Sequence, residues 1–308
     1  MRALFESHNL VGDSLGISAA LRAWHRDYPE YEIDMLTDDN AVAELYKGMG
    51  VPLRVIFTRD IVEPHSGVTV TYQIKYDFEH VFDVNKAFQV CHEKQCHMAQ
   101  GYADCLGVDI GDKATDIGPF YDPPRLDEDD EWVNQVPERT ILLAPFSRSC
   151  SSHEGKPPNK CLPWAKWKPI LHFLRTLGSP IRVTGSKDER ADALAISEEE
   201  YLTGMPLRPL ARAMKEGRIR MLLSVDNGIS HLAGSQKIPH ILYYPMCLGL
   251  HYAVPWSNPY VVPIHLDPAL AEPAQVAFNT RKAFEMVEQM VAAGPESPLL
   301  QREEVENE

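Results

Sequence analysis

Short apolar runs and amphipathic stretches follow one another along the chain in a regular order. Apolar runs bounded by polar loops are typical of buried strands, and apolar residues at helical spacing are typical of helices. In the first half the pattern predicts strands at 2–6, 31–38 and 51–57 and helices at 15–24, 41–50 and 84–106. Such alternation predicts a mainly parallel sheet with helices on both faces.

The same alternation begins again near residue 140. The segment before it, PFYDPPRLDEDDEWVNQVPERT, combines four prolines with an acidic run and indicates a linker. Beyond it the pattern predicts strands at 140–147, 180–186, 219–225 and 239–245 and helices at 164–177, 187–195, from 229 and at 268–293. We therefore expect an α/β protein with two doubly wound, Rossmann-like domains, 1–135 and 136–308. Such sheets bind ligands at the carboxyl ends of their strands, which here would face a central cleft.

Charge and composition restrict the possible partners. Acidic residues outnumber basic ones by 44 to 30, a formal net charge of −14. This balance argues against binding to duplex nucleic acid or anionic membranes, because both depend on Lys and Arg. No stretch approaches the roughly 20 apolar residues that span a bilayer, and MRALFESHNL lacks the core of a secretory signal. With six cysteines, we expect reduced thiols, no membrane insertion and a cytoplasmic location.

The segment SVDNGISHLAGSQKIP (224–239) places polar residues between a predicted strand and a predicted helix. Asp226 follows the strand, and Asn227-Gly228 tolerates the positive φ of a sharp turn. His231 lies in the first turn of the helix. Free N–H groups and the positive end of the helix dipole suit a phosphate or diphosphate at this point. The alternative is that Asp226 or Asn227 only caps the helix while His231 packs inside.

The stretch RIRMLLSVDNGISHLAGSQKIPHILYYP resembles the nucleotide-binding segment of glycosyltransferase family 9, the heptosyltransferase-like enzymes of the GT-B fold. That family has Asp-Ser/Thr-Gly-x-x-His-Leu-Ala after a strand. Asp226, Gly228 and His231 match it. Asn227 stands where the family has Ser or Thr, and its amide can donate in place of the hydroxyl. NLVGDSLG, LLAPFSRS…NKCLPWAKW, VTGSKDERADA and LTGMP are similar to other family segments in the same order, so the resemblance covers most of the chain.

The resemblance implies inverting transfer of a sugar from a nucleotide-diphosphate donor to an acceptor hydroxyl. We expect no metal ion or other cofactor, because the helix dipole and nearby cations can stabilise the diphosphate. It implies that Asp13 is the base that takes the acceptor's proton, and His8 can orient or replace it. It implies a donor site made of Ser147, Lys160, Gly185, Glu189, Asp226, Asn227, Gly228 and His231. Two alternatives remain open, in which Asp13 is a helix N-cap and Glu189 is a solvated first-turn residue.

The acceptor and two rival functions remain open. A glycan, a metabolite and a modified nucleobase are all acceptors of the right class. A nucleotide-sugar epimerase or hydrolase would use the same architecture, and a degenerate transferase would act as a binding module. The intact Gly12-Asp13 pair and the Asp226…His231 motif argue against degeneracy.

The segment CHEKQCHMAQGYADC (91–105) contains three cysteines and two histidines. Both residue types are zinc ligands, but the spacing fits no standard zinc finger. Its helical periodicity favours buried cysteines and exposed histidines over a metal site.

Overall fold

A computed structural model defines the architecture of the chain. It describes residues 1–6, 11–37, 39–57, 79–111, 120–147, 161–189, 201–245, 258–266 and 271–294. Two parallel sheets, each packed against helices, confirm the expected doubly wound α/β class. None of the helices in this part of the chain has the length and apolar character needed to span a bilayer.

The N-terminal sheet has four parallel strands in the order β3-β2-β1-β4. They are β1 (Arg2–Glu6), β2 (Glu32–Thr37), β3 (Leu53–Phe57) and β4 (His80–Asp83). The first three coincide with predicted strands. β4 was not predicted, because a strand of four residues is too short to show a distinct apolar pattern.

In the described part of this domain four helices accompany the sheet: α1 (Val11–Asp27), α2 (Asn40–Tyr46), α3 (Ala87–Lys94) and α4 (Met98–Leu106). The single helix predicted at 84–106 is wrong. A 3₁₀ turn at Val84–Lys86 leads into α3, which ends at Gln95 with a left-handed φ of 52°. His97 then caps α4, because its Nδ1 accepts a hydrogen bond from the Ala99 N–H at 3.1 Å.

The C-terminal sheet has six parallel strands in the order β10-β9-β8-β5-β6-β7. They are β5 (Thr140–Ala144), β6 (Ile181–Gly185), β7 (Tyr201–Thr203), β8 (Ile219–Val225), β9 (His240–Pro245) and β10 (Val261–Leu266). The linker before it contains the short helix α5 (Asp130–Asn134). The helices of the domain itself are α6 (Trp164–Arg175), α7 (Leu207–Lys215), α8 (Gly228–Ser235) and α9 (Pro273–Ala293). β7, β10 and α7 were not predicted. Of the predicted helix 187–195, only 187–189 are described, and they form a bend and turn.

Alternate residues of β8 face two apolar cores. Leu223 belongs to the core that contains Trp167 of α6 and Phe284 of α9. Leu222 belongs to a second core, together with Leu232 of α8. This second core continues into the N-terminal domain through α1, so the domains share an apolar contact where α1 meets α8.

The acidic linker is ordered and joins the two domains. It contains a 3₁₀ turn at Asp127–Asp129 and the helix α5 (Asp130–Asn134). The Asp129 carboxylate, whose side chain is 4% exposed, accepts hydrogen bonds from Arg208 of α7 at 2.7 and 3.0 Å. Arg208 also donates to Glu44 of α2 at 3.0 Å. One guanidinium therefore connects the linker with both domains.

The cysteines differ in oxidation state. Cys91, Cys96 and Cys105 are free thiols, whereas Cys161 is disulfide-bonded. The expectation of reduced thiols is therefore wrong at Cys161. Sequence spacing gives no signal for such a pair, because a disulfide depends on the distance between two Cα atoms in the fold.

A buried histidine lies at the start of β9. His240 is fully buried, and its Nε2 lies 2.7 Å from Ser224 Oγ on β8. Burial, with a smaller contribution from His231, lowers the pKa of His240 from 6.5 to about 3. Its imidazole is therefore neutral at neutral pH.

We predict that His240 makes the free energy of unfolding depend on pH. Between pH 6.5 and about 3 the unfolded chain binds a proton at this site and the folded chain does not. The free energy of unfolding should therefore decrease as the pH is lowered through this range, by up to about 1.4 kcal/mol per pH unit. His240→Gln, which keeps a neutral hydrogen-bonding side chain, should lose this contribution in urea denaturation below pH 6.5.

The matched control is His172→Gln on α6, where the histidine is exposed. This variant should keep the wild-type dependence on pH. A His240→Gln variant with the same dependence as the wild type would contradict a neutral, buried imidazole.

Candidate functional site

Three neighbouring strands end at the same edge of the C-terminal sheet. β8, β5 and β6 lie side by side and parallel, so the residues that follow them meet at their carboxyl ends. Asp226 follows β8, Ser147 follows β5 and Gly185 ends β6. Asp226 and Ser147 are both largely buried. The structure thus brings three of the predicted donor-site residues to one edge.

Asn227 joins β5 to the first turn of α8. Its Oδ1 accepts a hydrogen bond from the Ser230 N–H at 2.9 Å, as half of a reciprocal capping box. Its Nδ2 donates to the carbonyl oxygens of Ala144 at 2.9 Å and Phe146 at 2.7 Å. An amide nitrogen carries two protons, and both point to carbonyls of the protein. The capping alternative holds for Asn227, and the expected donation to a phosphate is wrong because the strand end uses the amide.

Gly228 allows the first turn of α1 to approach the backbone of α8 closely, and its own backbone angles are ordinary. The predicted positive-φ turn is wrong, since Asn227 has a φ of −156° and neither residue is left-handed. A Cβ placed on Gly228 would lie 2.8 Å from Val11 Cγ1, at the start of α1. α1 begins at Val11, earlier than the predicted residue 15, and its first turn packs on that of α8. Any larger residue at 228 would separate the two turns.

His231 lies between Asp226 and Gly12. Its Nε2 is 3.4 Å from Asp226 Oδ1, and its side chain is 16% exposed. A Cβ placed on Gly12 would come within 2.7 Å of His231 Cδ2. The imidazole therefore connects the carboxyl end of β8 with the first turn of α1 across the domain boundary.

Asp13 lies in the first turn of α1, next to Gly12. It stands inside the helix that begins at Val11, which is not an N-cap position, so the capping alternative does not apply. Burial, reinforced by the charge of Asp13, raises the pKa of the Tyr102 hydroxyl on α4. Asp13 directly follows Gly12, which contacts His231 of α8, so its backbone lies at the same domain boundary. The predicted residues His8 and Lys160 lie outside the described part of the chain.

Glu189 folds back on the end of β6. Its Oε2 accepts a hydrogen bond from the Ser186 N–H at 2.7 Å. A Cβ on Gly185 would lie 2.9 Å from this oxygen and 2.7 Å from Cδ2 of Phe146. Gly185 therefore leaves space for Phe146, which the sequence analysis missed because an aromatic residue after a strand carries no functional signal. Contact of Gly185 and Glu189 with a nucleotide stays a prediction.

The cysteine- and histidine-rich segment forms no metal site among the residues that the structure describes. In that part of the chain no three His, Cys, Asp or Glu side chains are placed to hold an ion. Cys91 is buried, as predicted, and burial raises its pKa to about 12. His97 is 8% exposed because it caps α4, so the prediction of an exposed histidine is wrong there.

Solved structures of other proteins share this fold, although no protein-family model and no curated protein matches the sequence. E. coli ADP-heptose LPS heptosyltransferase II has a TM-score of 0.68 at 14% identity, covering 94% of this chain and 100% of the other. A family 9 glycosyl transferase from Veillonella parvula DSM 2008 has a TM-score of 0.68 at 15% identity, covering 94% and 97%. E. coli heptosyltransferase WaaC with ADP has a TM-score of 0.61 at 17% identity, covering 92% and 99%. The chain therefore has the two-domain fold of the heptosyltransferases.

We predict that Asn227 stabilises the protein by joining α8 to β5. Asn227→Ser keeps a capping oxygen but loses the bonds to Ala144, at the end of β5, and to Phe146 just beyond it. This should lower the free energy of unfolding by about 1–2 kcal/mol. Asn227→Asp also keeps the cap but places a negative charge against two carbonyl oxygens. It should cost about 3 kcal/mol, because a charged group is then desolvated without donors. Thermal unfolding measures both losses.

Asn279→Asp is the matched control, because Asn279 makes only an exposed hydrogen bond on α9. It should leave the unfolding midpoint nearly unchanged. An Asn227→Asp variant as stable as Asn227→Ser would show that the amide nitrogen is not what joins the two elements.

Proposed function

We propose that this chain is an inverting, metal-independent glycosyltransferase that moves a sugar from a nucleotide-diphosphate donor to an acceptor hydroxyl. The observation that carries the proposal is the contact between the first turn of α8, which follows Asp226, and that of α1, which contains Asp13. A helix start suited to an anion and a carboxylate suited to a base thus share one domain boundary. The fold of the heptosyltransferases supports the same function.

The C-terminal domain holds the donor by its diphosphate. The first N–H groups of a helix have no partner within that helix. The capping box uses the N–H of Ser230 and does not involve those of Gly228 and Ile229. Together with the helix dipole, these amides favour a negatively charged group. The fold is also that of WaaC, which was solved with ADP, an anion of this class.

Asp13 accepts the proton of the acceptor hydroxyl as its oxygen attacks the anomeric carbon of the donor. A new carbon–oxygen bond forms while the bond between that carbon and the diphosphate oxygen breaks. The nucleoside diphosphate leaves with the bonding pair, and a single displacement of this kind inverts the anomeric centre. The amides at the start of α8 stabilise the charge that develops on the leaving group.

The acceptor belongs to one of three classes: a glycan, a metabolite or a modified nucleobase. The reaction takes place in the cytoplasm and needs no cofactor besides the donor. The net charge of −14 disfavours duplex nucleic acid and anionic membrane surfaces as partners. Asp13 at the boundary, beside the motif of α8, favours transfer over a degenerate binding module.

We predict that one class among UDP-, GDP-, ADP- and CMP-sugars raises the thermal unfolding midpoint, since a ligand that binds only the native state stabilises it. Asp13→Asn should keep this increase and lower the rate of transfer by about 100-fold or more. Asp27→Asn, an exposed position in the last turn of the same helix, is the control and should change neither quantity.

The outcomes separate the rival functions. Release of nucleoside diphosphate without an acceptor would indicate a hydrolase, and interconversion of the donor sugar an epimerase. Donor binding without turnover would indicate a binding module. An Asp13→Asn variant that loses donor binding and transfer together would contradict the role of Asp13 as the base.

We predict that transfer does not need a metal ion. Metal content is not fixed by the fold, because the glycosyltransferase TibC from enterotoxigenic E. coli H10407, which shares it, is iron-containing. Dialysis against EDTA should leave the transfer rate unchanged, since backbone amides replace the cation. A loss of activity that Mg²⁺ or Fe²⁺ restores would contradict the proposal.

A further inference from the structure

We propose that Gly12 is a positioning residue. The His231 ring packs on its Cα, which carries no side chain, and this contact sets the position of Asp13 relative to the donor. The inference rests on the proposed transfer and adds a residue to it. In this role Gly12 does not take part in the chemical step. It fixes how the two domains fit together at the site.

The contact leaves no space for a side chain at position 12. A Cβ there would lie 2.7 Å from Cδ2, 3.3 Å from Nε2 and 3.5 Å from Cγ of His231. Because three ring atoms are close to this position, the contact involves a large part of the imidazole and not one terminal atom. Carbon atoms pack at about 3.5–4 Å, and therefore an alanine would have to displace either the ring or α1.

The ring makes a second contact, with the end of β8. Asp226, buried at the end of β8, lies 3.4 Å from His231 Nε2, and the histidine side chain is only 16% exposed. Moving the ring would therefore also change its contact with the carboxylate. Asp226 at the end of β8 contacts His231, and His231 contacts Gly12. Asp13 is the residue after Gly12.

A second glycine contact fixes the same approach from the other helix. A Cβ on Gly228 would lie 2.8 Å from Val11 Cγ1 and 3.6 Å from the backbone nitrogen of Gly12. The first turn of α1 therefore has a glycine, Gly12, at its contact with α8, and the first turn of α8 has a glycine, Gly228, at its contact with α1. With both contacts in place α1 has little freedom to slide along α8, and the distance from Asp13 to the start of α8 is set.

Thermal unfolding of wild type, Gly12→Ala, His231→Ala and the double variant tests the contact without any assay of transfer. A Gly→Ala change within a helix normally raises stability. Gly12→Ala should instead lower the midpoint by about 3 °C or more when His231 is present. In the His231→Ala background the same change should leave the midpoint unchanged or raise it, because the ring is gone.

Steady-state kinetics of sugar transfer test the positioning role. They use the nucleotide sugar that raises the unfolding midpoint, together with its acceptor. Gly12→Ala should lower kcat by about 10- to 100-fold, since a displaced base costs rate. The Kd for the nucleoside diphosphate, which binds the C-terminal domain, should stay within about twofold of the wild type. In the His231→Ala background, Gly12→Ala should lower kcat no further.

Gly217→Ala is the control for a general loss of stability. Gly217 has a φ of +76°, and a Cβ placed on it would meet nothing within 4 Å, so alanine there strains the backbone away from the site. It should lower the midpoint and leave kcat unchanged.

The possible results separate the two claims. Unchanged kcat in Gly12→Ala, or an equal loss with and without His231, would overturn the positioning role. A midpoint that responds to Gly12→Ala in the same way in both backgrounds would overturn the contact itself. Midpoints that show the contact, in a protein that transfers no sugar from any donor, would instead reject the proposed function.

Discussion

The first turns of α1 and α8 meet at backbone distance, and the arrangement of the two domains depends on this contact. Two glycines permit it, Gly228 against Val11 and Gly12 against His231. Around it one apolar core extends through both domains, and an ionic network centred on Arg208 ties them to the linker. Groups on this boundary therefore have a geometry that is fixed by packing.

The same contact explains how an acidic chain presents an anion site. The start of α8 attracts negative charge through backbone amides and the helix dipole, which add nothing to the net charge of −14. Asn227 fixes this helix start to β5, and Asp226 holds the neighbouring imidazole. Donors that are held in place before a ligand arrives need no reorganisation during the reaction, which is the condition for effective stabilisation of charge.

The central strands were predictable and the details of packing were not. β5, β6 and β8 are short, mainly apolar segments bounded by polar loops, so the positions of Ser147 and Asp226 at strand ends followed from the pattern, whereas Gly185 was indicated by the family resemblance. The sequence pattern predicts a turn at Gly228, yet the role of this glycine depends on Val11 of the other domain, which no local pattern reveals. The break at Gln95 was missed because a left-handed residue other than glycine or asparagine gives no signal. The family resemblance alone indicated that Asp13 faces the motif of α8.

Amide chemical shifts of protein labelled with ¹⁵N-glycine, recorded during titration with a nucleoside diphosphate, test the central claim most directly. The label reports on both sides of the boundary at once. We expect shifts at Gly228 and Gly12, because the anion binds the amides at the start of α8, next to the contact with α1, and none at Gly107 and Gly217, which have open surroundings. Saturable binding that leaves Gly228 and Gly12 unperturbed would contradict it.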